Sequence, residues 1–106
     1  MGQYENFLNK FISSSLAGSR TGSAREFWLN MLEKVVNRYV SMNCNKYNPK
    51  RIAECQQEKK DFFEYIIDFA KVLGALDERN GFYVVKLPSR AVCFSREGEV
   101  VPCGQE

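Results

Sequence analysis

The 106-residue sequence predicts an α+β fold in which three helices are followed by a β-hairpin or a three-strand meander. Two observations support this. Apolar residues recur at three- and four-residue intervals up to about residue 76, which is the period of an α-helix. Beyond residue 81 the chain is rich in β-branched and aromatic residues, with turn-forming residues between short runs. At this length we expect one domain, residues 1–106.

The first helix is predicted over residues 3–16, where five apolar residues form one stripe. These are Phe7, Leu8, Phe11, Ile12 and Leu16. Residues 17–23 are small and polar with two glycines, so we expect a mobile loop there. Ser23 and Glu26 have the spacing of a capping box that would start the next helix.

A second helix is predicted from Ala24 to Met42, with an apolar face wide enough to pack on two neighbours. That face contains Phe27, Trp28, Met31, Leu32, Val35, Val36, Tyr39 and Val40. Asn48-Pro49 then has the form of a helix cap followed by a first helical residue. The third helix is predicted to continue from there to Leu73, and the alternative is a break at residues 59–61.

The segment 61–76 has the widest apolar face in the chain, so we expect it to be the core helix. Four of its residues are predicted to face solvent: Asp61, Glu64, Asp68 and Lys71. Residues 77–81 are expected to turn the chain into strands at 82–87 and 91–95. A short strand at Val100-Val101 must be an edge strand, because Pro102 has no N–H to donate.

Residues 73–85 read Leu-Gly-Ala-Leu-Asp-Glu-Arg-Asn-Gly-Phe-Tyr-Val-Val and lead from a helix into a hairpin. This junction resembles the end of a winged-helix DNA-binding domain, where a recognition helix is followed by a two-stranded wing. The resemblance covers residues 26–95 and implies a DNA-binding regulator with 61–76 as recognition helix. Three acids at the outward positions of that segment would be repelled by a duplex. Any nucleic-acid contact is therefore expected from the basic turn before it.

Basic residues are concentrated in the first half, where residues 1–50 carry seven Lys or Arg against three acids. Residues 51–106 carry eight against ten. The densest basic segment contains Lys46, Lys50 and Arg51, with Tyr47 able to stack on a base. Arg20 and Arg25 form a second group in and after the Gly/Ser loop. These six residues are the candidate nucleic-acid contacts, and an ordinary solvated turn is the alternative interpretation.

The four cysteines, Cys44, Cys55, Cys93 and Cys103, lack the close pairs that are typical of structural zinc sites. A three-residue turn at 97–99 would set Cys93 opposite Cys103, within reach of a disulfide. Cys44 and Cys55 flank the turn into the third helix and could also meet. In a reducing compartment the thiols would stay free, and the sequence favours four free thiols over two disulfides.

The chain has no histidine, which removes the commonest general base and the usual Ser-His and Cys-His pairs. We therefore predict no enzyme, with no catalytic residue, metal or cofactor. Three carboxylates, Asp61, Glu64 and Asp68, are interpreted as a solvated face and not as a cation site. No apolar run is long enough to span a membrane, and no signal peptide is recognised, so an intracellular, cytoplasmic protein is expected.

The helices offer more apolar surface than a small hairpin can cover. Tight packing within one chain is one interpretation. The other is a homodimer through the third helix, with Ile52, Cys55 and Phe62 at the seam. The sequence thus favours a small non-enzymatic protein-interaction module that forms a homo-oligomer, and the alternative is a nucleic-acid-binding regulator.

Overall fold

Residues 3–17, 23–44 and 48–103 are described by a computed structural model. Within these ranges three helices precede four strands: α1 (Glu5–Ala17), α2 (Ser23–Ser41), α3 (Pro49–Val72), β1 (Leu76–Arg79), β2 (Phe82–Lys86), β3 (Ala91–Ser95) and β4 (Val100–Val101). The predicted α+β class is confirmed, with one strand more than the sequence predicted. Most of the expected loop at 17–23, and the side chain of Ser23, lie outside the described residues.

Helix α3 is continuous over 24 residues, so the alternative break at 59–61 does not occur. Asn48 caps it from an extended conformation, and its side-chain oxygen accepts the N–H of Arg51 at 3.0 Å. Pro49 occupies the first turn, where a missing N–H has no cost. At 1.5 Å per residue the helix is about 36 Å long. It therefore extends along most of the longest dimension of the molecule, which is 50 Å.

The four described strands form one antiparallel sheet in the order β1-β2-β3-β4. The position of β4 at one edge confirms the prediction from Pro102. At the other edge lies β1, which the sequence had suggested was part of a turn. Leu76 is paired with Val85, and Arg79 with Phe82.

The turn between β1 and β2 is Asn80-Gly81, and both residues have positive φ, 46° and 86°. Two such residues make the two-residue turn that hairpins prefer, because its twist matches that of the strands. The missed signal was this Asn-Gly pair. The three charged residues of β1 made this segment look like a turn. Charge is nevertheless common on edge strands, because it discourages pairing with other chains.

The register of β3 and β4 differs from the prediction by two residues. Cys93 lies opposite Val101 and not opposite Cys103. The turn begins one residue earlier than expected, because the Ser95 N–H donates to the Glu99 carbonyl at 2.7 Å. Gly98, with φ at 92°, takes the left-handed position that closes this turn. Because side chains alternate with a period of two, a two-residue shift leaves every side chain on its expected face.

The core lies between the helices and one face of the sheet, with α3 at its centre as expected for the segment 61–76. Ile66 and Ala70 of α3, and Val85 and Phe94 of the sheet, are fully buried there. Val84 and Cys93, which pair across β2 and β3, are buried but lie outside this cluster. Alternation along the strands places both of them on the opposite face of the sheet.

Asp68 does not face solvent as the sequence predicted, because α1 packs across this part of α3. Only 1% of Asp68 is exposed, and its carboxylate accepts the backbone N–H of Tyr4 at 2.9 Å. The charge thus lies beside the start of α1, where the helix dipole favours an anion. Asp68 therefore helps to attach α1 to α3 and is not part of a solvated acidic ridge.

Candidate interaction surface

Helix α1 separates its apolar residues into a buried pair and an exposed pair. Leu8 and Ile12 are buried, at 3% and 0% exposure, and belong to the core. Phe7 and Phe11 lie one position earlier in each turn, about 100° around the helix, and are 65% and 56% exposed. Their rings stack at a centroid distance of 6.1 Å. The single stripe predicted from the sequence is therefore two faces with different environments.

Helix α2 extends this exposed surface with two more rings. Phe27 is 55% exposed, and Trp28 is partly buried between it and Phe11. The centroid of Trp28 lies 5.4 Å from that of Phe11 and 5.3 Å from that of Phe27, both in edge-to-face geometry. Trp28 also contacts the buried Phe69 at 6.1 Å. We call Phe7, Phe11, Phe27 and Trp28 the aromatic patch.

The size of the aromatic patch can be judged from its exposed fractions. An aromatic side chain presents roughly 200 Å² in total, so the three exposed rings leave about 350 Å² of contiguous apolar surface open. Patches in this range on a monomer are often sites of interaction. The contact between Trp28 and the buried Phe69 connects the patch to the core.

The surroundings of the patch on α1 are polar but carry little charge. Asn6, Asn9, Lys10 and Ser13, together with Phe7, line a shallow depression of about 730 Å³. Lys10 is the single Lys or Arg in α1, and Glu5 the single acid. The rim on α1 therefore carries few of the cations that bind nucleic acid or an anionic membrane.

The structure does not bring the candidate nucleic-acid contacts together. Lys50 and Arg51 are exposed at the N-terminal end of α3. The Arg25 guanidinium donates a hydrogen bond to the Leu73 carbonyl at 2.8 Å, at the other end of that helix. The length of α3 therefore separates the two groups by roughly 35 Å. Arg20, Lys46 and Tyr47 lie outside the described residues.

Arg25 satisfies a backbone carbonyl at the C-terminus of α3, where carbonyls lack helical partners and cations are favoured by the helix dipole. This contact explains an arginine at position 25 without a nucleic acid. It links α2 to the junction that leads into the sheet.

A second notable region, the Tyr39 junction, is formed where α2 and α3 meet the turn between β3 and β4. The Tyr39 hydroxyl donates to the Gly98 carbonyl at 2.5 Å, and its ring contacts Phe62, Phe63 and Phe94. Burial, with a smaller contribution from the charge of Glu99, raises the pKa of Tyr39 to about 12. The phenol therefore stays protonated at neutral pH and serves a structural hydrogen bond.

An open cleft of about 840 Å³ borders the Tyr39 junction and is lined by cations and acids in equal number. The charged lining residues are Lys59, Lys60, Arg96, Glu64, Glu97 and Glu99. The Lys59 ammonium lies 5.2 Å from the centre of the Tyr39 ring. Because the charges are balanced, the cleft shows no preference for ligands of either sign. Among residues 3–17, 23–44 and 48–103, no group of three or more acids or cysteines is arranged to hold a metal ion.

All four cysteines are paired, where the sequence favoured free thiols. The sulfurs of Cys93 and Cys103 are 2.02 Å apart, and those of Cys44 and Cys55 are 2.08 Å apart. The first pair forms although Cys103 lies two residues beyond the partner of Cys93, since Cα atoms at this diagonal are still 5.4 Å apart. The second joins the residues after α2 to α3. Cys55 is therefore occupied and is not a free seam residue.

None of the helices in the described part of the chain is long and apolar enough to cross a bilayer. No protein-family model matches the chain, and no curated protein or solved structure is significantly similar to it.

Proposed function

We propose that the chain is a small, non-enzymatic protein-interaction module and that it forms a homodimer through the aromatic patch. The observation that carries this proposal is the set of three rings, each more than half exposed, that continue across two helices. Aromatic residues supply a large share of the binding energy at protein interfaces, because they bury much surface with few rotatable bonds.

A second copy of the chain is the occupant that the rim favours. In a two-fold dimer the same surface meets itself, so a face rich in one charge would repel its copy. The exposed polar residues of α1 are mostly uncharged and can pair with one another. About 800 Å² per subunit is typical of a stable interface. The patch would supply the apolar centre of such an interface, and the asparagines and serines of α1 its rim.

The helical seam predicted from the sequence offers less free apolar surface. Ile52 and Phe62 are each partly buried, and Phe62 packs on Tyr39 within the chain. Cys55 is bonded to Cys44. We therefore place the proposed interface on α1 and α2 and not on α3.

Sedimentation equilibrium of the wild type and of a Phe7→Ser/Phe11→Ser variant tests this proposal. We expect the wild type to be dimeric at micromolar concentration, and the variant to be monomeric with an unchanged circular dichroism spectrum. Val40→Ser/Val100→Ser is the matched control, because among the residues whose side chains the structure describes these are the other large hydrophobic ones that are substantially exposed, at 40% and 52%. The control should remain dimeric.

Two outcomes of that experiment would contradict the proposal. A wild type that stays monomeric at all accessible concentrations removes the homodimer. A dimer that dissociates in the Val40→Ser/Val100→Ser control but survives in the Phe7→Ser/Phe11→Ser variant places the interface at the open cleft beside the Tyr39 junction, which Val40 and Val100 line.

A nucleic-acid-binding regulator with winged-helix-like topology is the second candidate. It rests on Lys50 and Arg51, which are adjacent and exposed at the N-terminus of α3. Filter binding to duplex and single-stranded DNA should then show affinity that falls steeply with salt, and Lys50→Ala/Arg51→Ala should reduce the slope by about two. The absence of binding at low salt would eliminate this candidate.

A further inference from the structure

Strand β4 has few attachments to the rest of the molecule. Of residues 99–103, Val101 is partly buried and the others are exposed, so none of them contributes to the core. Val100 lies opposite the buried Phe94, yet its own side chain is 52% exposed. The turn before them is different, because Gly98 is buried and its carbonyl accepts the Tyr39 hydroxyl. Glu99 is attached as well, because its carbonyl accepts the Ser95 N–H at 2.7 Å and its own N–H donates to the Ser95 hydroxyl at 3.1 Å. The firm attachment of this segment thus ends at Glu99.

The strand that β4 covers is, in contrast, central to the fold. Val92, Cys93 and Phe94 of β3 are exposed by 5% or less. One edge of β3 is paired with β2 along its whole length, and the other is paired with the two residues of β4. Removing β4 would therefore open a strand edge whose neighbours are already ordered. Open edges of this kind accept a strand from another chain.

The Cys93–Cys103 disulfide holds β4 in place from its far end. We propose that this disulfide is a redox-controlled lock on β4. In the oxidised protein the strand is closed over β3. In the reduced protein residues 100–103 detach while the turn stays anchored at Gly98 and Glu99, and the outer edge of β3 opens. The lock is independent of the aromatic patch and of the proposed dimer.

The chemistry requires a dithiol reductant. One thiolate of the reductant attacks the sulfur of Cys103, which is exposed, and the Cys93 sulfur leaves as a thiolate and takes up a proton. The second thiol of the reductant then attacks the mixed disulfide and releases Cys103 as a thiol. Two electrons pass to the protein, and the reductant ends as its own disulfide.

The other disulfide provides a matched control. Cys44 and Cys55 also bond across a short separation, 11 residues against 10. They connect the residues after α2 to α3, however, and these two helices are already packed through Tyr39 and Phe62. Breaking this bond should leave those helices in contact. Cys103→Ser leaves the buried Cys93 as a thiol, and Cys55→Ser leaves the buried Cys44, so the two variants carry comparable free thiols.

Amide hydrogen exchange measured by NMR tests the lock at Val101. The Ser95 N–H bonds the Glu99 carbonyl, so alternation along the ladder makes Cys93 and Val101 the next hydrogen-bonded pair. Exchange of the Val101 amide should accelerate roughly 100-fold in Cys103→Ser and in wild type treated with dithiothreitol, the effect of opening a loop of this length. Oxidised Cys55→Ser should exchange like the oxidised wild type, and the β1–β2 amides should be unchanged throughout.

Either of two results would overturn the proposal. If Val101 exchange is unaffected by reduction and by Cys103→Ser, strand pairing alone holds β4. If the amides of β1 and β2 accelerate together with Val101, the disulfide supports the whole fold and does not act on one strand.

Discussion

The aromatic patch and the Tyr39 junction are both clusters of aromatic rings, but the rings have different environments. In both, aromatic rings meet at centroid distances between 5.3 and 6.1 Å, mostly edge to face. At the junction a turn of the sheet closes over the rings, and Tyr39 is 3% exposed. At the patch no described element lies over Phe7, Phe11 and Phe27.

This difference shows that ring clusters alone do not distinguish a core from a binding surface. The distinguishing feature is whether another part of the same chain completes the packing. At the junction that part is the turn with Gly98, which is small enough to let the Tyr39 hydroxyl reach its carbonyl. At the patch, a second chain is proposed to take that role. Four substitutions test the contrast, from the largest expected effect to the smallest.

Removing a ring from the junction should have the largest effect. Phe94 is fully buried and contacts both Tyr39 and Phe63. Phe94→Ala should lower the free energy of unfolding by about 4 kcal/mol, because it removes buried surface and leaves a cavity. Urea denaturation measures this change. A loss below about 1 kcal/mol would show that the junction is no better packed than the patch.

Adding one methyl group at Gly98 should have the next largest effect. A Cβ built there would lie 2.6 Å from the Tyr39 hydroxyl oxygen and 3.0 Å from the Phe63 ring. Gly98→Ala should therefore cost about 3 kcal/mol, which combines the strain of positive φ with overpacking.

Gly81→Ala is the control for Gly98→Ala. Gly81 has a similar φ, 86°, but no atom within 4 Å of a built Cβ. It should lose only about 1 kcal/mol. If urea denaturation showed the same loss of unfolding free energy in both variants, the added methyl group at position 98 would not be in steric conflict with Tyr39.

The hydrogen bond that closes the junction should contribute a smaller amount. Tyr39→Phe keeps the ring but leaves the Gly98 carbonyl without its donor, so we expect a loss of about 1–2 kcal/mol. The substitution should also alter the dependence of stability on pH.

Burial and the charge of Glu99 raise the pKa of Tyr39 from 10.0 to about 12 in the folded state. The stabilisation that the protonated Tyr39 hydroxyl gives to the fold is therefore complete below pH 10. It is lost as the pH rises towards 12, because the unfolded chain releases the Tyr39 proton at a lower pH than the folded chain does. Tyr39→Phe should flatten the decline of stability between pH 10 and 12, measured by urea denaturation. Tyr65, whose pKa burial also raises, contributes to the part that remains. An unchanged slope would contradict the assignment to Tyr39.

Substitutions in the aromatic patch should have the smallest effect on the stability of the monomer. Phe7 is 65% exposed, so Phe7→Ser should change the free energy of unfolding by about 0.5 kcal/mol, mainly through loss of its stacking on Phe11. The measurement is urea denaturation at a protein concentration below that of any association. A loss comparable to that of Phe94→Ala would show that the patch is part of the core.

Much of the fold could be predicted from the sequence because it depends on local signals. The period of the apolar residues located all three helices, and Asn48-Pro49 marked the start of α3. Pro102 placed β4 at an edge. Strand β1 was missed although Asn80-Gly81 marked its turn, since three consecutive charged residues in a four-residue strand outweighed that signal.

The candidate site was less predictable than the fold. The sequence places Phe7, Phe11 and Phe27 on apolar stripes together with residues that are buried, because an exposed and a buried phenylalanine look the same in a helical pattern. The sequence indicates an excess of apolar surface on all three helices, and the predicted dimer seam lies on the third. The apolar residues of α1 span an arc of the helix that is too wide for one neighbouring element to cover, since Phe7 and Phe11 lie beside Leu8 and Ile12. This width is the signal that could have located the exposed rings.

The sequence by itself determined where the helices and most strands lie, since backbone propensity, caps and turn residues act over a few positions. The tertiary structure alone decided which rings are covered, that Asp68 is buried beneath α1, and that Arg25 completes the end of α3. Each of these outcomes depends on two segments far apart in the chain, whose meeting is set by the packing of the whole core.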